Sequence, residues 1–171
     1  MIYQIISHTP AWVWALLAGL LWLGLKQTLT TNPSLKRITV IPIVMTGLSL
    51  FGTVSVYGMQ LSTLATWLTA AAVMAVSTLQ VALSPATRYD AVLQRFTVPG
   101  SWVPAGLILG IFLTKYAVGV SLAMHPGLAH DAAFGLWVPL LYGAFSGVFC
   151  GRAARLWRLA QRQDVLASVA A

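Results

Sequence analysis

Apolar and polar stretches alternate along the chain, and five apolar stretches have the length of a membrane-spanning helix. Such a helix needs about 20 mostly apolar residues. The sequence therefore predicts five transmembrane helices, at residues 10–25, 38–57, 64–83, 102–124 and 132–150. The basic tail, residues 151–171, predicts an interfacial helix. We expect an all-α fold, organised as a single transmembrane domain over residues 1–171.

The longest polar loop, residues 84–101, carries a weaker helical signal. Ser84 suits a helix cap, and Pro85 suits the first helical position. Val92, Leu93 and Phe96 fall on one face of a helix. A short interfacial helix is therefore expected within this loop.

The composition supports a membrane protein. Hydrophobic residues make up 58% of the 171 residues and charged residues only 8%, whereas a soluble domain is about 25% charged. The net charge of +7 is also found in nucleic-acid-binding proteins, but here the basic residues flank apolar stretches. The sequence therefore predicts the lipid bilayer, and no nucleic acid, as a partner.

The basic residues predict the orientation of the helices. Nine of the ten lie in the first loop, the third loop and the tail, and the polar segments between these carry none. Because cytoplasmic segments are enriched in Lys and Arg, the N-terminus is expected outside and the C-terminus inside. The nine residues are Lys26, Lys36, Arg37, Arg88, Arg95, Arg152, Arg155, Arg158 and Arg162.

Lys115 is the exception, because it lies inside the fourth predicted span. At about 1.5 Å per residue it falls near the middle of the bilayer, where a charge costs roughly 3 kcal/mol. We expect it to face the helix bundle, with Tyr142 or the Gly135 carbonyl as partner. Pro139 deprives that carbonyl of its helical donor. A functional lysine and a purely structural one both remain open.

Three histidines and one aspartate map to the predicted outer face: His8, His125, His130 and Asp131. Imidazole and carboxylate ligands together suit zinc or copper. Histidines can also bind haem or take up protons. The alternative is that these residues belong to ordinary turns, so the sequence leaves the cofactor unknown.

The tail arginines Arg152, Arg155, Arg158 and Arg162 recur at helical spacing. This pattern predicts contact with anionic lipid headgroups, the alternative being a simple topology anchor.

Small-residue spacing predicts close helix packing. Glycines four residues apart occur in the fourth and fifth predicted spans, and such pairs let helix backbones approach in lipid. We therefore expect these two spans to pack together, although glycine is also frequent in membrane helices generally. The glycines are Gly106 and Gly110, then Gly143, Gly147 and Gly151.

No catalytic residues are predicted. The sequence has no phosphate-binding glycine loop, no HExxH and no GxSxG motif, and its three aspartates are scattered. Cys150 is the single cysteine, which excludes an internal disulfide. Enzyme activity is therefore disfavoured.

Four segments resemble a family of small proteobacterial inner-membrane proteins of unknown function, DUF6622. The resemblance implies a multi-pass protein of the bacterial inner membrane, and it supplies no binding or catalytic residues. The segments are residues 7–17, residues 99–102, Lys115-Tyr116 and the stretch from Tyr142-Gly143 to Gly151-Arg152.

Three functions remain open from the sequence. The first is a membrane subunit or scaffold whose glycine faces bind partner helices, either of another membrane protein or in a homo-oligomer. The second is a small oligomeric transporter or channel with Lys115 near its pathway. The third is a metal or haem redox protein that uses His8, His125 and His130.

Overall fold

The computed structural model describes residues 10–90 and 93–169, except for the side chains of residue 164 and residues 166–169. The described residues form five α-helices and one β-hairpin. The helices are α1 (Ala11–Lys26), α2 (Leu35–Tyr57), α3 (Leu61–Gln80), α4 (Trp102–Met124) and α5 (Ala132–Val169). The hairpin strands are β1 (Arg88–Asp90) and β2 (Arg95–Thr97), and a 3-10 helix, Pro126–His130, precedes α5.

The helix positions follow the apolar pattern. Helix α4 has the predicted bounds, while α2 and α3 each begin three residues earlier than predicted. Ser34 sets the start of α2, because its hydroxyl accepts a hydrogen bond from the Arg37 N–H at 3.4 Å. Gly58 follows the end of α2 with a φ of +68°, a conformation that favours glycine.

Four helices in the described part of the chain are long and apolar enough to cross a membrane: α2, α3, α4 and Ala132–Gln163 of α5. Helix α1 is apolar but has only 16 residues. The predicted helical, membrane-compatible architecture is therefore confirmed in outline.

The tail is helical as predicted, but its separation from the fifth helix is wrong, because α5 continues without interruption for 38 residues, from Ala132 to Val169. The apolar pattern explains the continuity. Beyond the predicted end of the span at residue 150, Ala153, Leu156 and Leu159 continue an apolar face, and all three pack against a hydrophobic cluster.

The predicted interfacial helix in residues 84–101 is also wrong, because this loop holds the hairpin. Tyr89 pairs with Phe96, and both side chains are buried, whereas their neighbours along each strand are exposed. This alternation has the period of a strand. Gln94 has a φ of +49° in the turn, and Val92 lies outside the described residues.

The chain divides into two compact units. In the first, α1 packs against α4, and Gly24 of α1 lies close to Ala105 of α4. The second contains α2, α3, the hairpin and α5, and α3 and α5 share its most extensive contact. The expectation of a single transmembrane domain stays a prediction.

Candidate functional site: a hydroxyl seam and an arginine-lined helix

Helix α2 carries a stripe of hydroxyl side chains at intervals of seven, three, four and four residues, which places them on one helix face. Its two ends are 18 residues apart, so the stripe is about 27 Å long, comparable with the ~30 Å hydrocarbon core of a bilayer. Four of its five members bond to groups of α5 or α3, and the fifth, Thr53, is fully buried. We call this stripe the hydroxyl seam: Thr39, Thr46, Ser49, Thr53 and Tyr57.

At the Tyr57 end of the seam, a hydrogen bond connects α2 to α5. The Tyr57 hydroxyl donates a hydrogen bond to the Phe134 carbonyl oxygen at 3.0 Å. The tyrosine ring lies beside Gly135, since a Cβ there would lie 3.8 Å from its Cε1 atom. Thr53, one turn back along α2, is fully buried and donates to the Ser49 carbonyl at 3.1 Å.

The centre of the seam joins all three helices of the second unit. The Trp67 indole N–H of α3 donates to the Ser49 hydroxyl oxygen at 3.1 Å. The Ser49 hydroxyl in turn donates to the Tyr142 carbonyl of α5 at 2.9 Å. The Ser146 hydroxyl donates to the same carbonyl at 2.9 Å. Ser49 therefore links α3 to α5 through α2.

The Thr39 end of the seam is bonded to the basic part of α5. The Trp157 indole N–H donates to the Thr39 hydroxyl oxygen at 2.9 Å, and that hydroxyl donates to the Leu35 carbonyl at 3.0 Å. Between this end and the centre, the Thr46 hydroxyl lies 3.4 Å from the Cys150 sulfur. The seam thus contacts α5 along most of the length of α2.

Three glycines bring α5 into backbone contact with α3. A Cβ added at Gly143 would overlap the Trp67 carbonyl oxygen, and one at Gly147 would overlap the Ala71 carbonyl oxygen. At Gly151 an added Cβ would lie 2.8 Å from the Ala75 carbonyl oxygen. We call these three residues the glycine ridge: Gly143, Gly147 and Gly151.

The partner of the glycine ridge differs from the one expected. The sequence predicted that the ridge packs against the fourth span, but α3 occupies the space beside all three glycines. Alanines on α3 explain this choice, because Ala70, Ala71 and Ala75 leave room for close approach. At Gly106 of α4, no atom of the described residues lies within 4 Å of an added Cβ.

Arg155 of α5 binds the end of α3 rather than standing free. Its guanidinium Nη1 donates to the carbonyl oxygens of Val81 and Ala82, directly after α3 ends at Gln80. A cation is favourable there because the last carbonyls of a helix carry partial negative charge. Arg155 thus has a partner within the protein, and its predicted contact with lipid headgroups stays a prediction.

The other tail arginines differ in exposure. Arg152 is half-buried, whereas Arg158 and Arg162 are exposed.

A small β-structure covers the apolar face of α5 beyond Gly151. Residues 31–34 lie beside β2, and the N–H and carbonyl of Thr31 bond those of Val98 at 3.0 and 2.9 Å. We call this three-segment structure, residues 31–34 with β1 and β2, the cap. Its fully buried Phe96 packs with Tyr89, Ile38 and Ala160.

The predicted metal-binding residues that the structure describes occupy separate positions at the end of α4, in the 3-10 helix and at the start of α5. The Asp131 carboxylate accepts a hydrogen bond from the Phe134 N–H at 2.8 Å, which caps the start of α5. His125 directly follows α4, His130 ends the 3-10 helix, and both are exposed. His8 lies outside the described residues, within which no three His, Cys or Asp side chains are grouped to hold a metal. The metal or haem site stays a prediction.

Lys115 lies in α4 of the first unit, and Tyr142 is buried in α5 of the second. The Lys115 side chain is exposed, and its predicted position facing the helix bundle stays a prediction.

The model of a family of unknown function, DUF6622, matches residues 1–166. The chain belongs to the DUF6622 family. No curated protein and no solved structure matches it.

In this DUF6622 protein the sequence analysis missed the hydroxyl seam and the role of Arg155. The seam had a usable signal, since Ser49, Thr53 and Tyr57 follow each other at intervals of four residues within an apolar helix. Arg155 had none, because its acceptor carbonyls lie 74 and 73 residues earlier in the chain. Long-range pairs of this kind leave no local sequence pattern.

Proposed function

We propose that this protein is a structural module of the membrane, a subunit or scaffold on which another membrane protein assembles. The observation that carries the proposal is the use of polar groups in the second unit. Three of its side-chain hydroxyl groups form a hydrogen bond with a neighbouring helix: those of Ser49, Tyr57 and Thr39. Interhelical hydrogen bonds and small residues in contact stabilise helix packing in lipid. Such a unit is suited to hold a fixed shape for a partner.

The proposal places five helices in the membrane, with the N-terminus outside and the C-terminus inside a bacterial inner membrane. Helix α1 is about 24 Å long, and Lys26 at its end extends its reach to the interface. Support for the orientation comes from the basic residues, nine of which fall in alternate polar segments.

Cysteine labelling tests this orientation. In a Cys150→Ser background, we expect Gly127→Cys to react with a membrane-impermeant thiol reagent on intact cells. Ala86→Cys should react only after the cells are opened, because the third loop carries Arg88 and Arg95 on the predicted inner side. Labelling of Ala86→Cys on intact cells would contradict the orientation.

Affinity purification tests the scaffold function. We expect the tagged full-length chain, extracted in mild detergent, to retain another membrane protein at a fixed molar ratio. Gly106 offers the comparison variant, because the described residues leave open space beside it. Gly106→Leu should fold and insert normally but lose the partner, since a bulky side chain prevents close helix approach. Purification of the wild-type chain alone, with no second protein at a constant ratio, would contradict the proposal.

A further inference from the structure

The bond between Arg155 and the end of α3 sets a level along α5. Helix α3 ends at Gln80, and the Arg155 guanidinium donates to the next two carbonyl oxygens, those of Val81 and Ala82. A membrane-spanning helix ends near the boundary of the hydrocarbon core. Arg155 therefore marks that boundary on α5. This step depends on the membrane location proposed above.

Arg158 and Arg162 follow Arg155 by three and seven residues, so they lie on the same face of α5. At 1.5 Å per residue they lie about 4.5 and 10.5 Å beyond the level of Arg155. The headgroup region on each side of a bilayer is roughly 5–8 Å thick. Arg158 thus lies at the depth of the phosphate groups. Arg162 lies a few ångströms beyond that layer, and its long side chain can reach back to it, because helical side chains lean toward the N-terminus.

The neighbouring residue Trp157 is placed as an interfacial tryptophan. Trp157 is 41% exposed, while its indole N–H is bonded to Thr39 of α2. Tryptophan is enriched at the level of lipid headgroups, because its ring is apolar and its N–H is polar. Trp157 and Arg158 therefore indicate the same depth independently.

The charge in this part of the second unit is predominantly positive. Besides the two tail arginines, Lys36, Arg37, Arg88 and Arg95 are exposed. The Asp90 carboxylate is engaged in the hairpin turn, where it accepts a hydrogen bond from the Leu93 N–H at 3.0 Å. Arginine recognises phosphate oxygens through its planar array of donors.

We infer that Arg158 and Arg162 bind the phosphate of an anionic phospholipid at the end of α3, whereas Arg155 serves the protein itself. The tail arginines thus have two different roles. Arg155 stabilises the three-helix unit, and the two exposed arginines fix the lipid. The bilayer level of α5 is thereby set by a bound lipid as well as by apolar length.

Lipid titration of the purified full-length chain tests the inference. Phosphatidylglycerol is added to the detergent-solubilised protein, bound lipid is counted by native mass spectrometry, and phosphatidylcholine serves as the neutral lipid. We expect phosphatidylglycerol to be preferred, and the double variant Arg158→Gln/Arg162→Gln to bind it about 25-fold more weakly. This corresponds to about fivefold, or about 1 kcal/mol, for each arginine. The thermal midpoint without lipid should not change, because both side chains are exposed.

The double variant Lys36→Gln/Arg37→Gln is the matched control, since it removes the same charge from two other exposed positions. It should retain most of the phosphatidylglycerol binding. An equal loss in both double variants would overturn the inference in favour of non-specific attraction. Equal binding of the two lipids, or full competition by inorganic phosphate, would also overturn it. The membrane proposal is tested separately by extraction with alkaline carbonate. Release of the wild-type chain from membranes would contradict that proposal.

Discussion

Replacing Gly147 by alanine is expected to destabilise the second unit by roughly 2–3 kcal/mol. The single added methyl would overlap the Ala71 carbonyl oxygen and would lie 2.9 Å from the Met74 Cβ. Backbone atoms of α3 cannot rotate away, so α5 and α3 must separate. Separation also weakens the bonds that Ser49 makes between the helices. The free energy of unfolding can be measured by titrating the detergent-solubilised protein with sodium dodecyl sulfate while recording tryptophan fluorescence.

The same substitution at Gly106 provides a control that should not lower the stability. An added methyl there meets no atom of the described residues within 4 Å. Alanine is a better helix former than glycine by up to about 1 kcal/mol. Gly106→Ala should therefore leave the stability equal or slightly higher. An equal loss of stability in Gly147→Ala and Gly106→Ala would contradict the prediction. It would show that the loss does not come from contact with α3.

Replacing Phe96 by alanine is expected to cost about 3–5 kcal/mol of the stability of the cap. Phe96 is fully buried, and its ring centroid lies 4.6 Å from that of Tyr89. Its removal leaves a cavity against Ile38 and Ala160, which also pack in this cluster. We expect faster amide hydrogen exchange at Val98 and Thr31, whose backbone bonds hold the cap together.

Leu93→Ala is the matched control, because Leu93 belongs to the same hairpin but is 66% exposed. Its substitution should change stability by no more than about 0.5 kcal/mol and leave hydrogen exchange unaltered. If the amide hydrogens of Thr31 and Val98 exchanged at the wild-type rate in Phe96→Ala, this result would show that the buried cluster does not stabilise the cap.

The sequence predicted the long apolar elements well, and it failed where structure depends on distant contacts. Helix α4 was predicted with its bounds, because its apolar run is long and Ser101 caps its first turn. The cap was missed because strands of three residues are too short to show alternation. In the same segment, Leu93 and Phe96 are spaced as on a helix. Residues 31–34, which complete the cap, are more than 60 residues away along the chain.

The candidate site was predictable in residue type but not in pairing. Glycine spacing indicated close contact for Gly143, Gly147 and Gly151, and charge spacing indicated a basic face for the tail. Neither pattern contains information on which helix lies opposite. Exposed arginines and arginines bonded to another helix have the same spacing, so only the geometry separates Arg155 from Arg158.

The continuity of α5 has a mechanical consequence. A helix of 38 residues is about 57 Å long, nearly twice the thickness of the hydrocarbon core. The middle of α5 packs against α3 through the glycine ridge. Its later part packs against the cap through Ala160. In the membrane location proposed above, one continuous helix therefore joins the residues after Ala160 to the part of α5 that packs against α3. A molecule that binds the residues after Ala160 would thus bind the same helix that carries the glycine ridge.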